Sequence, residues 1–138
     1  MHSQLSICPS FSIGGLVALW LKRSGGANIS AVTRSNYEEV HRHGFRIESS
    51  LFGHDTVTFQ KLSSSTEASF NHHSYVIITT KALPYLNTTL IASLEGYIAE
   101  GEEGTTIVLI QNGVGVEDKI RERYPKNVIL SCVVSMLS

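Results

Sequence analysis

Hydrophobic and polar positions along the chain fall into strand-like runs separated by helical spacings. Residues 5–8 read as a short apolar strand and residues 9–14 as a turn. An apolar helix begins near Ile13, Gly25-Gly26 ends it, and residues 27–33 form a second strand closed by Arg34. Strand, helix and strand in that order make a βαβ unit, whose parallel strands force a right-handed crossover onto one face. Residues 36–43 predict a short helix with Ser35 or Asn36 as its N-cap and Gly44 as its stop. Alternating runs at 45–49 and 56–60, broken at Gly53, predict two antiparallel strands. The serine-rich stretch 61–73 reads as loop, with one helical turn over 65–70.

Tyr75-Val-Ile-Ile-Thr-Thr is β-branched and apolar on both faces, as a central parallel strand requires. A helix over 84–99 follows, with Pro84 in its first turn and Leu86, Leu90, Ile91, Leu94 and Ile98 on its buried side. The acidic loop 100–104 ends it. A buried strand at 105–110, a helix at 116–124 closed by Pro125 and a last strand at 128–134 complete the chain. The expected fold is a single α/β domain over residues 1–138: an open, mainly parallel Rossmann-type sheet of about six strands with helices on both faces.

Composition narrows the partners. The net charge of -1 leaves no electrostatic footprint for nucleic acid or an anionic membrane. The longest apolar run, residues 13–21, is too short to span a bilayer, and its basic residues follow it, the reverse of a signal peptide. The chain is therefore expected in the cytosol. Cys8 and Cys132 have no metal-ligand spacing and are expected as two buried, reduced thiols. His41 with His43, and His72 with His73, also lack metal-ligand spacing, so no metal site is expected. No nucleophile elbow and no Gly-Lys-Ser/Thr phosphate loop is present, which argues against esterases and nucleotide hydrolases.

In open α/β sheets the ligand lies outside the carboxyl ends of the strands. That rule selects residues 9–14, Arg34, Thr80 with Lys81, and residues 111–113. A dinucleotide pyrophosphate would rest on the helix N-terminus near Ile13, where free N–H groups and the dipole favour an anion. Arg34 stands where an acidic residue would bind an NAD ribose, and a basic one suits the 2′-phosphate of NADP. Each residue also has an ordinary reading: Arg34 as a solvated arginine, Lys81 as a snorkelling helix-start lysine, Asn112-Gly113 as a tight turn.

Five blocks in order, Ser-Ile-Gly14-Gly, Thr-Arg34-Ser-Asn-Tyr, His-Gly-Phe-Arg-Ile-Glu-Ser, Ile-Ile-Thr-Thr-Lys81-Ala and Ile-Val-Leu-Ile-Gln-Asn112-Gly-Val-Gly, closely resemble the N-terminal domain of ketopantoate reductases. That family reduces 2-dehydropantoate to pantoate with NADPH, for pantothenate and coenzyme A synthesis. The resemblance implies a first turn of Ser10, Phe11, Ser12, Ile13 and Gly14 at the cofactor, with Arg34 on the 2′-phosphate. It further implies Lys81 in contact with the cofactor, and Asn112 beside the nicotinamide ribose and a 2-oxo acid substrate.

Two departures modify this expectation. The family's Gly-x-Gly-x-x-Gly reads Pro9, Phe11 and Gly14 here, so only the third glycine survives. Losing one donor to a charged group costs roughly 1.5–3 kcal/mol, which lowers cofactor affinity on the order of ten- to a hundredfold. Ser10 and Ser12 hydroxyls offset this in part. In the family a helical C-terminal domain supplies the catalytic lysine; the chain stops at Ser138, before that domain, and is expected to be inactive alone, with no catalytic residue of its own. Its apolar end is expected to promote self-association. The alternatives are a cofactor-less interaction module of the same fold, and a reductase completed by a separately encoded helical domain.

Overall fold

In the computed structural model, which describes residues 3–8, 13–33, 36–59, 61–64, 73–81 and 87–134, the chain runs β1 (Ser3–Cys8), α1 (Ile13–Ser24), β2 (Ala27–Thr33), α2 (Tyr37–His43), β3 (Phe45–Ser49), β4 (Gly53–Val57), β5 (Lys61–Ser64), β6 (Tyr75–Ile78), α3 (Asn87–Leu94), β7 (Thr106–Leu109), α4 (Asp118–Arg123) and β8 (Ile129–Ser131). Six strands form one sheet in the order β5-β2-β1-β6-β7-β8, every neighbouring pair parallel. The strand order reverses between β1 and β6, which makes their carboxyl ends the topological switch point. One register line crosses five strands: Ala31, Ile7, Ile77, Val108 and Leu130.

Strand alternation sends successive side chains to opposite faces, and the two faces carry separate cores. Val32, Val76, Ile78, Ile107 and Leu109 pack against Leu90 and Leu94 of α3 and Ile120 of α4. Ile29 and Ile77 face the other way, toward Ala18 and Leu19 of α1 and Val40 of α2. The β3–β4 hairpin lies on that second side, and its Phe45, Ile47 and Val57 join the same core. Helices thus cover both faces, as the sequence pattern requires.

The hairpin is fastened to α1 by polar contacts as well. Lys22 Nζ donates to Asp55 Oδ1 and to the Thr56 carbonyl, each at 2.8 Å, and Arg23 donates to the Phe52 carbonyl at 3.1 Å. Trp20 meets Phe52 edge to face, with ring centroids 5.7 Å apart. Gly15 lets the helix approach closely: a Cβ there would fall on the Phe45 ring.

Several boundaries differ from the sequence expectation. Residues 61–64 are a strand, not loop, because their backbone pairs in parallel with β2. The second hairpin strand starts at Gly53 rather than residue 56; the Ser49 hydroxyl accepts the N–H groups of Leu51 and Phe52, which tightens the turn and brings Gly53 opposite Ser49. α3 ends at Leu94, short of residue 99. Ala99 N–H donates to Thr105 Oγ1 and its carbonyl accepts the Thr105 N–H, so this segment bonds to the approach to β7 instead of continuing the helix. α4 and β8 are likewise shorter than expected. α2 ends at Gly44 as expected, with φ of 73° and its N–H on the Val40 carbonyl, while Asn36 at the N-cap makes no side-chain cap. Cys132 corrects the expectation of a buried thiol: it is free and exposed, just past an edge strand. The helical turn expected over 65–70 and the first helical turn at Pro84 lie outside the described residues.

Candidate functional site

Because all six strands are parallel and share a register, their carboxyl ends emerge along one edge. Three strand spacings separate β2 from β7, roughly 14 Å. Along that edge lie Thr33 at the end of β2, Thr79 to Lys81 beyond β6, and Ile110 to Asn112 beyond β7. Of the residues selected from the sequence, Ile13 and Gly14 open α1, with Gly14 buried, and Lys81 and Asn112 are exposed, each a short step past its strand. Ser10, Phe11, Ser12 and Arg34, together with Pro9, lie outside the described residues.

The far half of the edge is held by a side chain. The last backbone rung between β6 and β7 runs from Ile110 N–H to the Ile78 carbonyl at 2.9 Å. Beyond it, Gln111 Nε2 donates to the Thr80 carbonyl at 2.7 Å and to Thr80 Oγ1 at 3.2 Å. Asn112 then turns away through Gly113, whose φ of 131° is a conformation that favours glycine. Lys81 and Asn112 therefore each follow directly on a residue of this clamp.

Thr33 supplies a feature that periodicity does not reveal. Its side chain is buried, and Oγ1 has no hydrogen-bond partner among the described residues. An unpartnered buried hydroxyl costs about 1–3 kcal/mol, and its place at the end of β2 fits an edge that takes a polar ligand. The sequence signal was slight: a threonine closing a strand that already carries Asn28 and Ser30. Other hollows lie elsewhere: one of about 490 Å³ at the amino edge, bordered by His73, Glu100 and Thr105, and two beside α2 around His43 and Gly44. Among the described residues no cluster of three metal-ligating side chains occurs, and no helix is long and apolar enough to cross a membrane.

The fold has close counterparts among solved structures. The 2-dehydropantoate 2-reductase from Methylococcus capsulatus superposes with a TM-score of 0.81 at 24% identity, over 97% of this chain and 41% of that one. D-Mandelate dehydrogenase, solved with NADH and anilino(oxo)acetate, gives 0.77 at 18% identity, over 91% of this chain and 39% of that one. At these identities the likeness establishes the Rossmann-type architecture. In sequence, the chain is 26% identical to the uncharacterized protein YDL144C of Saccharomyces cerevisiae, over 96% of this chain and 41% of that protein. It is 29% identical to the meiotically up-regulated gene 72 protein of Schizosaccharomyces pombe, over 91% of this chain and 22% of that protein. The chain thus spans less than half the length of the curated relatives it matches. The family model described as ketopantoate reductase PanE/ApbA matches residues 12–138, starting just after Pro9 and Phe11. With nearly the whole chain matched, this protein belongs to the ketopantoate reductase PanE/ApbA family.

Proposed function

We propose that the chain is the NADP(H)-binding domain of a ketopantoate-reductase-like oxidoreductase, whose family reaction is the NADPH-dependent reduction of 2-dehydropantoate to pantoate. The observation that carries this reading is the family match over residues 12–138 on a sheet whose parallel register delivers Lys81 and Asn112 to one carboxyl edge. Residues 10–14 would receive the pyrophosphate at the start of α1, Arg34 the 2′-phosphate, Lys81 the cofactor, and Asn112 the nicotinamide ribose and a 2-oxo acid. The bound nicotinamide supplies a hydride; the chain's own residues orient it and hold the substrate end. The 138 residues alone bind cofactor, with affinity lowered by Pro9 and Phe11, and do not turn over, because the proton donor that the resemblance implies comes from the family's helical domain. The setting is cytoplasmic.

A second reading, a cofactor-less interaction module, is favoured by the exposed apolar side chains Val128, Leu130, Val133 and Val134 at the sheet edge, which also support self-association. Calorimetric titration of the purified chain with NADPH and NADH, beside Arg34→Ala, separates the two. Micromolar binding that prefers NADPH and falls with Arg34→Ala is the expected result. No binding at millimolar NADPH by a folded chain would transfer the case to the interaction module.

A further inference from the structure

We infer that Gln111 is a positioning residue of the cofactor crevice: its amide clamps the carboxyl ends of β6 and β7 together and so sets the spacing from which Lys81 and Asn112 reach the nicotinamide half of the ligand. The inference rests on the cofactor reading above and adds a residue to it.

The backbone ladder explains why a clamp is needed. Parallel pairing of β6 with β7 runs from Tyr75 and Thr106 to Ile78 and Leu109, and the bond from Ile110 N–H to the Ile78 carbonyl closes it. Past that rung the two chains diverge, β6 toward α3 and β7 through the Gly113 turn toward α4. With no further backbone bond between these two segments among the described residues, the separation of residues 81 and 112 would be left to two independent loops. The Gln111 side chain supplies the missing rung, with one N–H group on the Thr80 carbonyl at 2.7 Å and contact with Thr80 Oγ1 at 3.2 Å. The carbonyl can only accept, so the atom facing it must be the amide nitrogen. A clamp of this kind fixes two main-chain segments one residue before the groups that act, which is the arrangement that preorganises a binding site.

The sheet order makes this clamp local in its effect. β6 and β7 lie on one side of β1 and β2 on the other. A dinucleotide crossing the switch point has its 2′-phosphate end toward β2 and its nicotinamide end toward β6 and β7. Adenosine 2′,5′-bisphosphate, which has the 2′-phosphate and adenine but no nicotinamide, therefore reports on the other half of the crevice.

The test compares NADPH and adenosine 2′,5′-bisphosphate by calorimetry on the full chain, unaltered and as Gln111→Ala, Gln111→Glu and Thr80→Val. Gln111→Glu keeps the length but sets a carboxylate oxygen against the Thr80 carbonyl. Gln111→Ala and Gln111→Glu are expected to weaken NADPH about tenfold or more while adenosine 2′,5′-bisphosphate stays within about twofold. Thr80→Val, which leaves the carbonyl bond intact, is expected to cost less than either. Binding of both ligands as in the unaltered chain would overturn the inference, as would a parallel loss of both, which signals general destabilisation. Absence of NADPH binding in the unaltered, folded chain would instead show up before any substitution, and would remove the cofactor reading together with this one.

Discussion

Gly15 shows how a single residue is decided by tertiary contact against its local preference. Alanine is favoured over glycine in a helix interior by roughly 0.5–1 kcal/mol, so propensity alone makes Gly15→Ala stabilising. The Cβ would land on the Phe45 ring, and overpacking of that sort costs about 1–3 kcal/mol. Sterics should win, and urea unfolding is expected to show net destabilisation by about 1 kcal/mol or more, partly restored by Phe45→Leu. Asp55 makes a pH prediction on the same interface. Its carboxyl is held below the usual carboxylate range, first by the Lys22 ammonium and then by the Thr56 N–H. A group whose folded value lies below its unfolded one stabilises the fold fully above the unfolded value, and that contribution disappears as pH falls through the folded value. The hairpin should therefore loosen from α1 in acid. Hydrogen exchange in β3 and β4 is expected to quicken there relative to neutral pH, and Asp55→Asn should flatten that change.

At the scale of elements, the α3–β7 connection is fixed by one buried amide. Asn127 Nδ2 donates to the carbonyls of Ala99 and Thr105 at 2.8 and 2.9 Å, and Oδ1 accepts the Gly101 N–H at 3.2 Å. These bonds tie the start of β8 to the acidic loop, and Arg123 adds a 2.7 Å bond to Glu100 from the end of α4. Removing the amide leaves buried backbone groups unpaired, so Asn127→Ala is expected to lower stability by about 2–3 kcal/mol in chemical denaturation. Arg123→Ala breaks the exposed ion pairs to Glu95 and Glu100 and should cost well under half of that. A ranking in the opposite order would show that the loop is held by charge rather than by the buried amide.

Across the whole molecule the two faces of the sheet are unequally covered. α3 and α4 cover one face, with Ile107 and Leu109 fully buried. On the other face α1 and the hairpin cover the β1–β2 side, leaving Tyr75 of β6, Leu130 of β8 and Val128 just before β8 partly exposed. Cys132 continues that exposed row past the strand end. Sedimentation of the chain is expected to show concentration-dependent association. The pair Val128→Lys and Leu130→Lys should abolish it without lowering the melting temperature, since neither side chain is part of either core.

The sequence alone determined the elements whose signal is local. Tyr75-Val-Ile-Ile is apolar on both faces and lies between β1 and β7; Gly44 ends α2; Phe45 and Ile47 alternate with exposed Arg46 and Glu48 in the hairpin. The sequence also singled out Lys81 and Asn112 as strand-end residues, and the shared register brings them to one edge. Other features were invisible because no single segment contains them. Lys61-Leu-Ser-Ser is a poor strand by composition and becomes one because β2 presents an unpaired edge. Residues 95–99 keep a helical pattern but leave the helix because Thr105 offers Ala99 better-placed partners. The Gln111 clamp exists only because parallel pairing sets residue 111 beside residue 80. Periodicity records which side of an element faces the core, a property of neighbours in sequence. Edge pairing, helix termination and the spacing of the crevice depend on hydrogen-bonding groups far apart in the chain, and only the folded sheet decides them.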